Sequence, residues 1–195
     1  MKYASLDIET TGIDKQNCQV IQIGVVIDDL MTPVHELPRF EAFINHDVLK
    51  FEPFALNLHL KTGLLSRYLE DKNKESFNAV ALNLRLFFAK HYPLATPKDK
   101  YYLAGKNLAS FDVPFLRAGN DEMMNTLLNQ CGHRVIDPAT YFTDFINDKA
   151  PASLDDCKKR AGIGGGVVAH DALYDALDIV QVVRYIAAKN DGRFQ

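Results

Sequence analysis

The sequence predicts an α/β fold, a mixed β-sheet with helices on both of its faces. Three strand-like segments follow one another near the N-terminus through connections too short for helical crossovers, which indicates an antiparallel three-strand meander. Helical and strand-like segments alternate after the meander, which is typical of further, parallel strands in the same sheet. A chain of 195 residues with 47% hydrophobic content can bury one sizeable core, so we expect a single domain over residues 1–195.

Five segments are predicted as strands. Residues 2–8 form the first, and residues 20–28 form a buried second strand because they are rich in β-branched side chains. Residues 39–44 complete the meander after two prolines. Residues 101–104 and 134–136 are the short later strands.

Helical spacing begins in the region 54–90 and returns several times after it. The predicted helices cover residues 62–68, 76–90, 112–118, 122–130, 137–146, 153–161 and 171–188. Ser76 is expected to cap one of them, and Ser153 another through a capping box with Asp156.

The first chemical feature is a pair of carboxylates on the opening strand. Asp7 and Glu9 share one face of the strand, roughly 6.6 Å apart along it, while Leu6 and Ile8 share the other. Burying two like charges together costs several kcal/mol unless a cation cancels them, and a divalent cation with oxygen ligands does so. The alternative is an ordinary strand with a solvated acidic edge.

The second feature surrounds Asp112, at a loop-to-helix junction just after a strand, where ligands collect in α/β folds. The alternative is that Asp112 only caps its helix. Asn107 and Phe111 offer an amide and a ring, a pair suited to holding and stacking a nucleobase. Phe111 could equally be a core residue.

The third feature is His170 followed by Asp175. Five residues on a helix span about 500° of rotation, so the two would not share a face if both were helical. Glycines at 164–166 form a loop that lets His170 lie at or before the helix start. Asp175 falls near the face that packs on the sheet, where a carboxylate needs a metal or a donor. The alternative is a histidine without function.

Composition excludes several classes of protein. The net charge of −3 gives no global attraction to nucleic acid, so any such binding must be local. The three cysteines form no paired zinc pattern, and phosphate-loop, nucleophile-elbow and zinc-helix motifs are missing. The sequence also has no basic-then-apolar leader and no apolar run of roughly 18 residues, so we expect a cytoplasmic protein with no membrane contact.

Taken in order, these features resemble the DEDDh family of 3′→5′ exonucleases in the ribonuclease-H-like superfamily. That family includes the proofreading subunit of bacterial DNA polymerase III, ribonuclease T and oligoribonuclease. The family's three motifs are similar to residues 7–12, 107–116 and 170–176, and residues 153–163 are similar to the helix before the third motif. The resemblance implies a ribonuclease-H-like sheet and covers about residues 2–188.

The resemblance also implies two-metal hydrolysis of a terminal phosphodiester, with Mg²⁺ or Mn²⁺ ions roughly 3.5–4 Å apart. In this scheme Asp7, Glu9 and Asp175 bind one metal, Asp7 bridges to the second, and Asp112 holds the second mainly through its waters. His170 is then the general base, since a near-neutral imidazole can take a proton from the attacking water.

The substrate implied by the resemblance is the 3′ end of single-stranded nucleic acid. Backbone at Thr10, Thr11 and Gly12 would approach the terminal nucleotide, and Asn107 and Phe111 would hold the strand end.

Two stretches of the sequence favour different nucleic acids as the substrate. The second motif favours DNA slightly, whereas residues 57–67 resemble oligoribonuclease and favour short RNA. Within that stretch His59 has the alternative of being a surface residue of a short helix. A catalytically idle nucleic-acid-binding or polymerase-associated module is the third hypothesis, and a polymerase or a homodimer partner stays open.

Overall fold

The computed structural model describes residues 1–164 and 169–190, which build one five-stranded mixed sheet. The strands are β1 (Tyr3–Thr10), β2 (Val20–Asp28), β3 (Arg39–Phe43), β4 (Tyr101–Ala104) and β5 (Cys131–Ile136). Their order across the sheet is β3-β2-β1-β4-β5. The β1–β2 and β2–β3 pairs are antiparallel, whereas β1–β4 and β4–β5 are parallel. The predicted meander with added parallel strands is confirmed.

Helices cover both faces of this sheet. They are α1 (Pro53–Thr62), α2 (Leu64–Glu70), α3 (Phe77–His91), α4 (Asp112–Ala118), α5 (Glu122–Gln130), α6 (Ala139–Phe142), α7 (Leu154–Ala161) and α8 (Ala172–Asn190). One apolar cluster joins the sheet to α3, α4 and α5, and another joins it to α8. Within the described ranges, no helix is both long and apolar enough to cross a membrane.

The alternation of side chains along β1 assigns its residues to these two layers. Leu6 and Ile8 enter the cluster that contains α3, α4 and α5. Ser5 faces the opposite layer, where its hydroxyl donates to the carbonyl of Ala176 in α8 at 2.8 Å. Asp7 and Glu9 share the parity of Ser5, so the acidic face of β1 is the face that α8 covers.

Gly24 allows α8 to begin close to the acidic face. It is the partner of Asp7 in the β1–β2 register, and a Cβ at Gly24 would lie only 2.2 Å from the backbone of Ala172. Because no real side chain tolerates that approach, the first turn of α8 depends on a glycine at this position.

Several predicted boundaries were wrong. The helix predicted at 62–68 is interrupted by Gly63, whose left-handed φ of 78° separates α1 from α2. The helix predicted at 137–146 ends at Phe142, because the Asp144 side chain accepts from the amides of Ile146 and Asn147 in a competing turn. The last strand begins at Cys131 rather than at residue 134.

The predicted helix starts at Ser76 and Ser153 are confirmed. The Ser76 hydroxyl accepts from the amide of Ala79, and Ser153 forms a capping box with Asp156. In the predicted glycine loop, residues 165 and 166 lie outside the described part of the chain.

We expect Gly24→Ala to lower the free energy of unfolding by about 1–3 kcal/mol or more, because the new methyl group displaces the start of α8 from β2. Chemical denaturation of the two proteins measures the difference. Gly132→Ala in β5 is the matched control, since its Cβ would meet its nearest neighbour at an ordinary 3.6 Å. Equal unfolding midpoints for both variants would contradict the close packing at Gly24.

Candidate active site

The candidate site opens where β1 and β4 end. β4 pairs with β1 only at the registers Ala4–Leu103 and Ser5–Ala104, so the remainder of β1 has a free edge on this side. A cavity of about 360 Å³ lies at this edge. It is lined by Asp7, Ile8, Glu9, Lys106, Asn107, Ser110, Phe111, Asp112, His170 and Asp175. A larger groove of about 620 Å³ at the β3 edge holds none of the predicted site residues.

The structure brings together the four carboxylates that the sequence singled out. Asp7 and Glu9 come from β1, Asp112 from the start of α4 and Asp175 from the first turn of α8. Asp7 is half-buried, while the other three are at most 9% exposed. Among the described residues, no lysine or arginine forms an ion pair with any of the four.

Backbone amides hold two of these carboxylates in place. Asp112 accepts from the amide of Ile8 at 3.1 Å, on the β1 edge that β4 no longer covers. The predicted helix-capping alternative for Asp112 is wrong, because Phe111 occupies the cap position and Asp112 is the first helical residue. Asp175 accepts from the amide of Ala169 at 3.3 Å.

Burial raises the pKa values of all four acids, and repulsion among the four adds to this effect for Asp7 and Glu9. Burial is the largest cause for each of them. The pKa of Asp7 rises well above its usual value, with further contributions from Asp112, Glu9 and Asp175. The pKa of Glu9 rises to about 8, again with repulsion from Asp175 and Asp112. The pKa values of Asp112 and Asp175 both rise to about 7.

This donor set fits divalent cations. Clustered carboxylate oxygens without a cationic side chain are the ligands that Mg²⁺ and Mn²⁺ prefer. In the described part of the chain, Glu9, His170 and Asp175 each offer one ligand atom, and these atoms lie within 4.8 Å of one another. Asp7 and Asp112 extend the set along the same cavity.

His170 lies before the first residue of α8, where the sequence placed it. Its backbone adopts a left-handed φ of 50°, uncommon for a residue other than glycine. The side chain is half-buried, and burial lowers the pKa of its imidazole below the ordinary value. A neutral imidazole facing the carboxylates is suited to accept a proton.

His59 lies beside the candidate site, and sequence reasoning undervalued it. It is 1% exposed, so the surface alternative is wrong. Its Nε2 lies 2.8 Å from the carbonyl oxygen of Thr10, and its Nδ1 faces Glu9 Oε2 at 3.9 Å. That Nδ1 is buried and has no hydrogen-bond partner in the described part of the chain. The resemblance of residues 57–67 to oligoribonuclease was the signal that pointed to this position.

Thr10, Thr11 and Gly12 follow Glu9 directly but do not line the cavity. The Thr10 hydroxyl donates to the carbonyl of Gly12 at 2.6 Å, and the Thr11 hydroxyl accepts from the amide of Gln19 at 2.9 Å. A Cβ on Gly12 would lie 2.5 Å from the side chain of Glu52, so a larger residue at this turn requires that side chain to move. Both threonine side chains therefore serve local structure, and any contact with substrate falls to the backbone.

Asn107 and Phe111 do line the cavity. Asn107 is exposed and has a left-handed φ of 57°. Phe111 is both a packed residue and a cavity residue. Its ring centroid lies 4.8 Å from that of Phe115, and it also lines the cavity. The half-buried Lys106 was not predicted, and its Nζ donates to Asn107 Oδ1 at 2.8 Å. It places a positive charge at the rim of an acidic cavity.

Comparisons with known proteins agree with this arrangement. The family model RNase_T, described as exonuclease, matches residues 5–183. The crystal structure of cell-death related nuclease 4 (CRN-4) matches with a TM-score of 0.61 and 18% identity, over 98% of this chain and 64% of that one. The zinc-ion-bound form of the E. coli ExoI–ssDNA complex matches with a TM-score of 0.65 and 17% identity, over 98% of this chain and 41% of that one. No curated protein matches significantly.

At these identities the two solved structures show the fold alone. The chain spans less than two thirds of the length of either structure, 64% of one and 41% of the other.

We expect the metal-free protein to lose stability as the pH rises from about 4 to about 8. Asp112 and Asp175 have a usual pKa of 3.8 that rises to about 7 on folding, so the folded state keeps protons that the unfolded state releases. The stability present below about pH 4 is therefore lost through this window. The expected loss is on the order of 1 kcal/mol or more per carboxylate.

Thermal unfolding in EDTA at several pH values measures this slope. Asp175→Asn should flatten it, and Mn²⁺ should restore stability at pH 8. Asp148→Asn is the control, because the pKa of Asp148 is about 2 and its titration lies below the window. A melting temperature that rises between pH 5 and 8 without metal would contradict the shifted carboxyl groups.

Proposed function

The chain belongs to the exonuclease family, and we propose that it removes nucleotides one at a time from the 3′ end of single-stranded nucleic acid in a metal-dependent reaction. The observation that carries this proposal is the convergence of four carboxylates and His170 on one cavity. Three separate segments of the chain supply these groups, and the fold holds them despite their repulsion. We propose further that residues 1–195 act as one exonuclease domain.

The carboxylates would hold two divalent cations, Mg²⁺ or Mn²⁺, which when bound stabilise the attacking and the leaving oxygen of a phosphodiester. Asp7 would contribute to holding both ions, because its carboxylate is close enough to Asp112, Glu9 and Asp175 to interact with all three. Glu9 and Asp175 would hold one of the ions, which their common ligand set with His170 supports. Asp112, which accepts from the amide of Ile8, would help to hold the second.

His170 would act as the general base. Its lowered pKa keeps the ring neutral near pH 7, so it can take the proton of the attacking water. Its position ahead of α8 places it over the acidic cavity while its backbone stays outside the helix. The other buried histidine, His59, is held by the carbonyl of Thr10 behind Glu9 and lines no part of the cavity.

Single-stranded DNA is the first substrate that we propose. The ExoI structure with the same fold was solved with single-stranded DNA, and Phe111 and Asn107 line the cavity where a terminal base would lie. Lys106 at the rim supplies a cation for a phosphate. Association with a polymerase or with a second copy of the chain stays a prediction.

Hydrolysis of very short RNA is the second candidate function. The position of His59 favours it, because the stretch that resembles oligoribonuclease packs directly against the end of β1. A binding module without activity is less favoured, since four unneutralised carboxylates in one cavity destabilise a protein that has no use for them.

We expect Asp7→Asn, Asp112→Asn and Asp175→Asn each to lower kcat by about 10²-fold or more, because each removes charge that stabilises the transition state. His170→Ala should lower kcat by about 10²–10⁴-fold through loss of the base. A 5′-labelled single strand with Mg²⁺ or Mn²⁺ gives the rates and a ladder that shortens from the 3′ end. Glu122→Gln, an exposed carboxylate in α5, is the control.

The outcome of the same assay also tests polarity. Early release of the labelled 5′ nucleotide would contradict 3′→5′ digestion. Tight binding of the strand without any hydrolysis would establish the idle module.

We expect a DNA 20-mer to be digested at least as fast as an RNA 20-mer of the same sequence, because the motif that contains Phe111 and Asp112 resembles that of the proofreading exonucleases. Matched DNA and RNA 20-mers and dinucleotides, compared by kcat/KM, measure this preference. Rapid hydrolysis of RNA dinucleotides with slow digestion of both 20-mers would replace the first candidate function by the second.

A further inference from the structure

We propose that Arg67 is a positioning residue that holds His170 over the cavity through Asp171. This inference rests on the proposed function, because Arg67 has this role only if His170 is the general base. Arg67 lies on α2, which the three catalytic motifs do not include. Its guanidinium forms ion pairs with Asp171 through Nη1 and with Glu41 through Nη2.

Asp171 is the point of attachment, since it directly follows His170 in the chain. It is 5% exposed, and its Oδ2 meets both Arg67 and the side-chain amide of Gln22, the latter at 3.3 Å. Its Oδ1 accepts from the amide of Tyr174 at 3.2 Å and so caps the first turn of α8. One carboxylate thus joins the helix start to two other elements.

Gln22 completes the network from β2. It is fully buried, its Oε1 accepts from the amide of Ala172 at 3.0 Å, and its Nε2 also donates to Glu41 at 2.8 Å. Side chains from α2 and β2 therefore contact the residues that begin α8, and Glu41 of β3 contacts both of these side chains. Arg67 is the cation among them, and it forms ion pairs with two carboxylates.

This anchoring matters because His170 adopts a costly backbone conformation. A left-handed φ in a residue other than glycine costs roughly 1–2 kcal/mol and persists only where the surroundings determine it. Asp171 fixes the C-terminal side of His170, and Asp175 fixes the N-terminal side by accepting from the amide of Ala169. Release of Asp171 removes one of these two restraints.

Arginine is required in this role for its geometry. The planar guanidinium meets two carboxylates at once and lies 5.5 Å from the ring centroid of Phe43. A lysine ammonium is a point charge that reaches one carboxylate well. Both terminal nitrogens of the guanidinium are thus engaged by carboxylates of the protein.

The test compares steady-state kinetics of Arg67→Gln, Arg67→Lys and the intact protein on a single-stranded oligomer with Mn²⁺. We expect Arg67→Gln to lower kcat by about 10- to 100-fold with KM within about twofold, since misplacement of the base affects chemistry rather than binding. Arg67→Lys should lie between the two. Arg39→Gln is the matched control, because the one hydrogen bond that the Arg39 side chain forms among the described residues is to the carbonyl of Val34.

A double-mutant cycle separates positioning from general loss of structure. In a His170→Ala background, measured by single turnover with excess enzyme, Arg67→Gln should change the rate by less than about twofold. An equal loss in both backgrounds would overturn the proposal. A raised KM with unchanged kcat would overturn it too, by showing that Arg67 contacts the substrate.

A second measurement does not depend on activity, so it distinguishes failure of the positioning role of Arg67 from failure of the proposed function. The ring Cε1–H resonance of His170, assigned by its loss in His170→Ala, should move in Arg67→Gln toward that of His35, whose side chain is 81% exposed. An unmoved resonance would overturn the positioning role. If His170→Ala digests as fast as the intact protein, the base assignment fails, whatever the resonance shows.

Discussion

Repulsion among four carboxylates in one cavity is the constraint on which the rest of the structure depends. Three of them are nearly buried, and among the described residues none is paired with a lysine or an arginine. In the absence of a cation, protonation relieves the cost of burying these charges and the repulsion between them, which is why the pKa values of all four acids are raised. A fold that keeps this arrangement must hold the acids on elements too rigid to move apart.

The surrounding structure supplies that rigidity with backbone groups. β4 ends early, so the amide of Ile8 is free to donate to Asp112. Gly24 lets α8 lie close on the sheet, which brings Asp175 to the face that carries Asp7 and Glu9. The geometry of the site therefore depends on where β4 ends, on Gly24 and on the packing of α8 against the sheet.

The start of α8 has to satisfy two requirements, the packing of the helix on the sheet and the placement of His170 over the cavity. His170 must face the cavity from a left-handed backbone conformation, which is disfavoured for residues other than glycine, and Asp171, the next residue, ties the start of α8 to α2 and β2. A buried lysine, Lys158, also pairs with Asp178 one turn below Asp175.

The sequence by itself determined the sheet, most of the helices and the order of the acidic motifs. These follow from local rules, namely alternation along strands, helical periodicity and the preference of Ser153 and Ser76 for helix starts. Helix boundaries predicted from these rules were wrong where a helical pattern competes with a local turn, as at Gly63 and Asp144.

Only the tertiary structure decided which isolated residues share a site. The burial of His59 beside Glu9, the position of Lys106 at the rim and the reach of Arg67 to Asp171 all join segments tens of residues apart. No local sequence pattern predicts these contacts. Each one forms between two distant segments, and only after the sheet has brought those segments together.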